Sequence, residues 1–74
     1  MDSQNLIKMA NQIGQFFESM PNRAQAEKDI ASHLKRFWDP RMRRVIVASL
    51  DSDEAASMSP IVRDAISTHR QLLA

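Results

Sequence analysis

Apolar residues recur at helical spacing from the start of the chain. Leu6, Met9, Ala10, Ile13, Phe16, Phe17 and Met20 fall within an arc of about 120° at 100° per residue, with Lys8, Asn11, Gln15 and Ser19 opposite. This pattern predicts a first helix over residues 4–20. Ser3 is placed to cap it, since a hydroxyl can accept from a free backbone N–H of the first turn. Pro21 is placed to stop it, because proline forces the preceding residue out of the α region. Gly14, the only glycine, lies at the edge of the apolar arc. A glycine inside a helix costs about 1 kcal/mol relative to alanine. Its presence there predicts the close approach of a second helix.

A second helix is expected from about Arg23 to Phe37, with Asn22 as cap and Gln25 in the position of a capping-box partner. Its inner face reads Ala26, Ile30, His33, Leu34 and Phe37, with Trp38 beside it and Lys28, Lys35 and Arg36 pointing away. Asp39-Pro40 then reads as a stop and a restart, since Asp is a good cap and Pro suits the first helical position. Pro40–Leu50 is expected to be a third helix, apolar almost all round because Val45 and Val47 flank the Met42, Ile46, Leu50 face. Such helices are buried on more than one side. Residues 51–59 are a polar, acidic loop or a short extra turn. Ser59-Pro60 repeats the cap-then-proline signal and opens a last helix with the face Val62, Ala65, Ile66, His69, Leu72 and Leu73.

The expected architecture is therefore a single all-α domain over residues 1–74. It is a small three- to four-helix bundle with a Trp-Asp-Pro elbow between the second and third helices. At 74 residues, a core of this kind supplies only about 3–5 kcal/mol, so such chains often lean on disulfides, a metal or a partner. With no cysteine in the sequence, the expected support is another protein chain. No apolar run approaches the roughly 18 residues of a membrane span. The N-terminus lacks a basic segment followed by a continuous apolar block, so a cytoplasmic location is expected.

Charge sharpens the picture in one place. The net charge is +1, but residues 33–44 carry Lys35, Arg36, Arg41, Arg43 and Arg44, half of the ten Lys and Arg, against Asp39 alone. An acidic cluster, Asp51, Asp53 and Glu54, follows. The pattern is either an internal ion-pair arrangement or a polarised binding surface. The Phe37-Trp38-Asp39-Pro40-Arg41 elbow likewise has two readings, a structural corner or a protein interface. Trp and Arg dominate binding energy at such interfaces. The candidate protein-binding residues are Lys35, Arg36, Trp38, Asp39, Pro40, Arg41, Arg43 and Arg44.

No catalytic constellation is visible. A single glycine excludes a Gly-rich nucleotide loop. His33 and His69 lie on apolar faces, where a half-buried histidine with a local hydrogen bond is the ordinary case, and two histidines alone do not make a metal site. A helix-turn-helix bound to DNA is the alternative use of the basic residues. Arg41, Arg43 and Arg44, however, spread over about 160° of their helix rather than forming one stripe. The acidic cluster that follows would oppose phosphates. Self-association that shields the apolar third segment is a further possibility for the isolated chain.

Three stretches resemble a known family. They are Leu6-Ile7-Lys8-Met9-Ala10-Asn11-Gln12-Ile13 followed by Phe16-Phe17, then His33-Leu34-Lys35-Arg36-Phe37-Trp38-Asp39-Pro40-Arg41-Met42-Arg43, and Met58-Ser59-Pro60-Ile61-Val62-Arg63-Asp64-Ala65. In this order and spacing they resemble the delta subunit of the NAD-dependent, molybdenum-containing formate dehydrogenases. Met58 stands where that family more often has leucine. The resemblance implies a small accessory subunit with no cofactor of its own and no enzymatic activity. Its partner would be the catalytic alpha subunit of a cytoplasmic complex, which oxidises formate to carbon dioxide at a molybdenum-pterin centre. Electrons would pass through iron–sulfur clusters and FMN to NAD. The implied role is stability, or cofactor-loaded maturation, of the alpha subunit, without contact with nucleic acid or membrane.

Overall fold

The computed structural model describes residues 2–74 and is all-helical. The elements are α1 (Ser3–Phe17), α2 (Arg23–Phe37), α3 (Pro40–Ser49), a 3₁₀ segment (Asp53–Ser57), α4 (Pro60–Thr68) and the single turn α5 (Arg70–Leu73). The α2 and α3 boundaries follow from their caps. Asn22 Oδ1 accepts from the Gln25 N–H at 3.0 Å, and Asp39 Oδ1 accepts from the Met42 N–H at 3.0 Å. Pro40 sits where its missing N–H leaves no unmade bond. The reciprocal half of a capping box is not formed, because the Gln25 amide donates to Asp29 Oδ1 instead.

Three expectations are corrected at helix ends. The α1 cap is Asp2, whose carboxylate accepts from the Gln4 N–H, while the Ser3 hydroxyl donates to the Glu54 carboxylate. α1 also ends at Phe17 rather than Met20. A helical Pro21 would press its ring against the Phe17 carbonyl four residues back. That carbonyl accepts from the Met20 N–H in a tight turn instead. The last helix breaks at His69, whose φ and ψ of −109° and 30° are not helical. The break rotates the final turn, so Leu73 is buried and Leu72 is exposed, while Ile61 joins Val62, Ala65 and Ile66 in the core. Ser59 precedes Pro60 as expected, but its hydroxyl makes no capping bond.

The core is one cluster drawn from every α-helix, including Leu6 and Ile7 of α1, Ile30 and Leu34 of α2, Ile46 of α3, Val62 and Ile66 of α4, and Leu73 of α5. Met58, after the 3₁₀ segment, is buried with them. α2 lies centrally, meeting α1, α4 and α5. Gly14 has the role expected of it, and its neighbour is α4. A Cβ there would stand 2.5 Å from Val62 Cγ2 and 3.3 Å from Ile61 Cγ2. Asn11 binds the same region from the side, its amide donating to the Ser57 carbonyl and its Oδ1 accepting from the Ser59 N–H. An ion pair from Arg23 to Asp64, both half exposed, links the start of α2 to α4. The accessible surface, 4582 Å² for 8.4 kDa, is close to the roughly 4600 Å² of an ordinary folded monomer of that mass. Its exposed apolar groups therefore do not come from an open fold.

Candidate partner-docking face

The elbow between α2 and α3 divides two adjacent aromatic residues. Phe37 is the last residue of α2 and Trp38 is extended, with φ −93° and ψ 140°. That change of backbone turns the Trp38 indole into the core, where it is 6% exposed, and leaves Phe37 67% exposed. The expected assignment is thus reversed: Phe37 is not on the inner face, and Trp38 does not present its surface. An apolar ring that large gains most from burial, and the extended conformation before Asp39-Pro40 gives the tryptophan, not the phenylalanine, access to the interior.

The other elbow residues divide in the same way. Arg43 is turned back onto the corner, where its guanidinium donates to the Trp38 carbonyl at 2.7 Å and the Lys35 carbonyl at 3.0 Å. Those are carbonyls that the end of α2 would otherwise leave without helical partners. Arg43 is therefore part of the fold, along with the capping carboxylate of Asp39. Lys35, Arg36, Arg41 and Arg44 are exposed, as are Asp39 and Pro40. Among the described residues, none of these four cations has a salt-bridge partner, and the acidic cluster does not pair with them. Asp51 faces Arg70 instead at 3.7 Å, and Glu54 is engaged by Ser3. Of the two readings of the charge pattern, the internal ion-pair arrangement is not formed.

Next to the elbow lies a feature that the sequence did not announce. The buried residues of α1 are Leu6, Ile7, Ala10 and Gly14. Their mean direction is rotated by about 75° from the centre of the apolar arc, at 100° per residue. α1 thus carries apolar surface that its own fold does not cover. Met9 and Ile13 are half-buried, and Phe16 is 77% exposed. Between this flank and α2 is an open apolar hollow of about 530 Å³, walled by Ile13, Phe16 and Phe17 on one side and His33 and Trp38 on the other. A smaller hollow of about 210 Å³, with Arg36 and Phe37 on its wall, shares Phe17 and His33 with it. Ring contacts join the two. Phe16 meets Phe17 edge-on at 5.1 Å, Phe17 faces His33 at 6.4 Å, and His33 lies 4.7 Å from Phe37. The Arg36 guanidinium stands 5.6 Å from the Phe37 ring centroid, within cation–π range. His33, expected to be satisfied by a local hydrogen bond, lies instead between two rings, edge-on to Phe17 and tilted against Phe37.

The clue to the groove was present in α1, where the apolar residues outnumber what one helix flank of a small bundle can bury. Nothing in a one-dimensional pattern tells which edge of that arc stays uncovered. As to chemistry, the described residues include no group of three or more His, Cys, Asp or Glu side chains placed to hold a metal ion. Without cysteine there is no thiolate for an iron–sulfur cluster. No helix is long and apolar enough to cross a membrane. What the face offers is an apolar, aromatic surface with Arg36 and Asp29 at its edge.

Comparison with known proteins places the chain in a family. The family model described as NADH-dependant formate dehydrogenase delta subunit FdsD matches residues 5–66, which include most of α1, all of α2, the elbow, α3 and most of α4. No curated protein and no solved structure matches the chain.

Proposed function

The chain belongs to the NADH-dependent formate dehydrogenase delta-subunit family, and from that premise we propose that it is a non-catalytic accessory subunit that docks on the catalytic alpha subunit of the complex. Its role is to stabilise that subunit or hold it ready for its molybdenum cofactor, in the cytoplasm. The chain supplies no ligand to the molybdenum-pterin, iron–sulfur, FMN or NAD groups of the complex. The observation that carries this reading is the exposed aromatic and cationic surface of an otherwise compact chain. Phe16 and Phe37 stand in solvent, the Arg36 guanidinium lies over the Phe37 ring, and Lys35, Arg41 and Arg44 are exposed without a salt-bridge partner. Exposed aromatics and arginine are the residue types that dominate protein interfaces.

The action is linkage. A partner that binds only the folded state of the alpha subunit shifts it toward folded by mass action, by about 2.7 kcal/mol at a free concentration 100 times Kd. The elbow residues have two parts in it. Trp38, Asp39, Pro40 and Arg43 fix the corner, and the exposed cations around it meet the partner. A DNA-binding reading has less to work with, since Arg43 is committed to backbone carbonyls and only Arg41 and Arg44 remain exposed on α3.

The test is to produce the alpha subunit with and without this chain and measure molybdenum content and thermal unfolding. Co-production is expected to raise one or both, and the two chains are expected to co-purify. Equal molybdenum occupancy, equal stability and no co-purification would reject the proposal.

A further inference from the structure

The outer side of α3 carries charges of both signs, separated along its length. Arg41, Arg44, Ala48 and Asp51 follow one another at steps of three, four and three residues, and all are exposed. At 100° per residue they fall within an arc of about 80°. Asp51 lies just past the helix, but its N–H donates to the Ala48 carbonyl at 3.2 Å, so the chain is still turning where it leaves. Asp53 follows, also exposed. The stripe is thus cationic at the start of α3, small in the middle and acidic past its end, with half-buried Val45 and Val47 on either side.

Apart from the capping Asp39, this order opposes the helix itself. The N-terminus of a helix is its positive end and the C-terminus its negative end, so cations near the first and anions near the second are unfavourable. α3 has no acidic residue in its first turn and no basic one in its last. α2, by contrast, ends on Lys35 and Arg36, which suit its negative end. The order on α3 suits a second α3 laid antiparallel to it. A twofold axis beside Ala48 sets Arg44 of each copy across from Asp51 of the other and turns Arg41 toward the other's Asp53. Each group of charges then faces the end of the neighbouring helix that it complements. Asp51 is available for this, since its 3.7 Å pair with Arg70 leaves its side chain 75% exposed. Ala48 at the crossing keeps a large side chain out of the contact, which lets the two axes come close. A surface of one sign would satisfy one end of the stripe and repel the other, whereas a second copy presents the reversed order by symmetry.

We propose that the free chain pairs with a second copy of itself through antiparallel α3 helices. The pairing covers the half-exposed flanks of Val45 and Val47. α3 is about 15 Å long at 1.5 Å per residue. A contact of that length belongs with the small, transient interfaces below about 1,200 Å², so the pairing is weak and depends on concentration and salt. It concerns the free chain, before Arg41 and Arg44 meet the catalytic subunit, and it goes beyond the accessory-subunit reading without depending on it.

Sedimentation equilibrium of the isolated full chain, from about 1 μM to about 1 mM, reads the pairing. A reversible monomer–dimer equilibrium is expected, weakened by added salt. Arg44→Glu and Asp51→Lys each set like charges opposite one another at both symmetry-related contacts, so either variant alone should pair about tenfold more weakly. Mixed in equal amounts, the two should pair with each other about as well as the original chain, because both contacts of the mixed pair again join opposite charges. Circular dichroism melts check that the variants are folded. Should either reversal unfold the chain, Arg44→Gln and Asp51→Asn take their place, each expected to weaken pairing about threefold. A chain that stays monomeric to about 1 mM overturns the proposal. So does a dimer that these substitutions leave unchanged, or a mixed pair no stronger than either reversal alone. The catalytic subunit is absent throughout, so failure here leaves the accessory-subunit reading standing, and that reading is tested separately by co-purification.

Discussion

The elbow and the groove adjoin each other and are built in opposite ways. In the elbow each group has an intramolecular task. Asp39 caps α3, Arg43 binds two carbonyls at the end of α2, and the Trp38 indole fills the core. In the groove, one residue earlier, the Arg36 guanidinium stands over the exposed Phe37 ring, and the exposed Phe16 meets the half-buried Phe17 edge-on. Both regions are rich in the aromatic and cationic residues that favour interfaces. Composition therefore does not distinguish a structural corner from a contact surface. The backbone does, because the helix ends at Phe37 and the next residue is extended. Residues committed to the fold should change stability, and those left outside should change assembly.

The largest effect expected on the structural side comes from Trp38→Ala. Truncating a buried tryptophan costs about 3–5 kcal/mol, which equals the whole core contribution expected for a chain of this size. The isolated variant should lose its cooperative thermal transition, as followed by circular dichroism. A variant that melts like the original would place Trp38 outside the core and erase the contrast.

Arg43→Met is the next test. It retains much of the stem but removes two charge-assisted hydrogen bonds to carbonyls, at least one of them partly buried. A loss of about 1–3 kcal/mol is expected, read as a lower urea midpoint with unchanged slope. Arg43→Lys should recover only part of it, because an ammonium cannot reproduce the planar fork of a guanidinium.

Gly14→Ala sets two opposed effects against each other. Alanine improves helix propensity by about 1 kcal/mol. Its methyl would meet Val62 Cγ2 at 2.5 Å, and forced overpacking costs about 1–3 kcal/mol. Val62 is fully buried and its branched side chain has little freedom to move away. The net expectation is destabilisation by about 1 kcal/mol, so a raised melting temperature would contradict the close α1–α4 approach.

Much of this arrangement was legible in the sequence where local chemistry decides. Asn22 and Asp39-Pro40 mark the starts of α2 and α3 because caps act through groups two or three residues away. Gly14 was legible as a point of close approach, since few other benefits offset its cost inside a helix. Tertiary choices were not legible. Ile7 lies off the apolar arc of α1 yet is buried, and Phe16 lies within it yet is exposed, because neighbouring helices decide which edge of an arc they cover. Asn11 sat on the polar side of that pattern but bridges to Ser57 and Ser59, 46 and 48 residues away. The elbow's density of large residues was legible in the sequence, whereas the division between Phe37 and Trp38 depends on one pair of backbone angles.

The smallest stability effect belongs to the groove, and it gives the most direct test of the division between fold and docking surface. Phe16→Ser combined with Phe37→Ser should change the unfolding free energy of the isolated chain by no more than about 0.5 kcal/mol, as expected for exposed positions. The decisive measurement is the affinity of that double variant for the catalytic subunit, taken beside its melting curve. The predicted result is an unchanged melt with Kd raised about 30-fold or more. An unchanged melt with unchanged affinity in a fully assembled complex would contradict the assignment of this face to the partner.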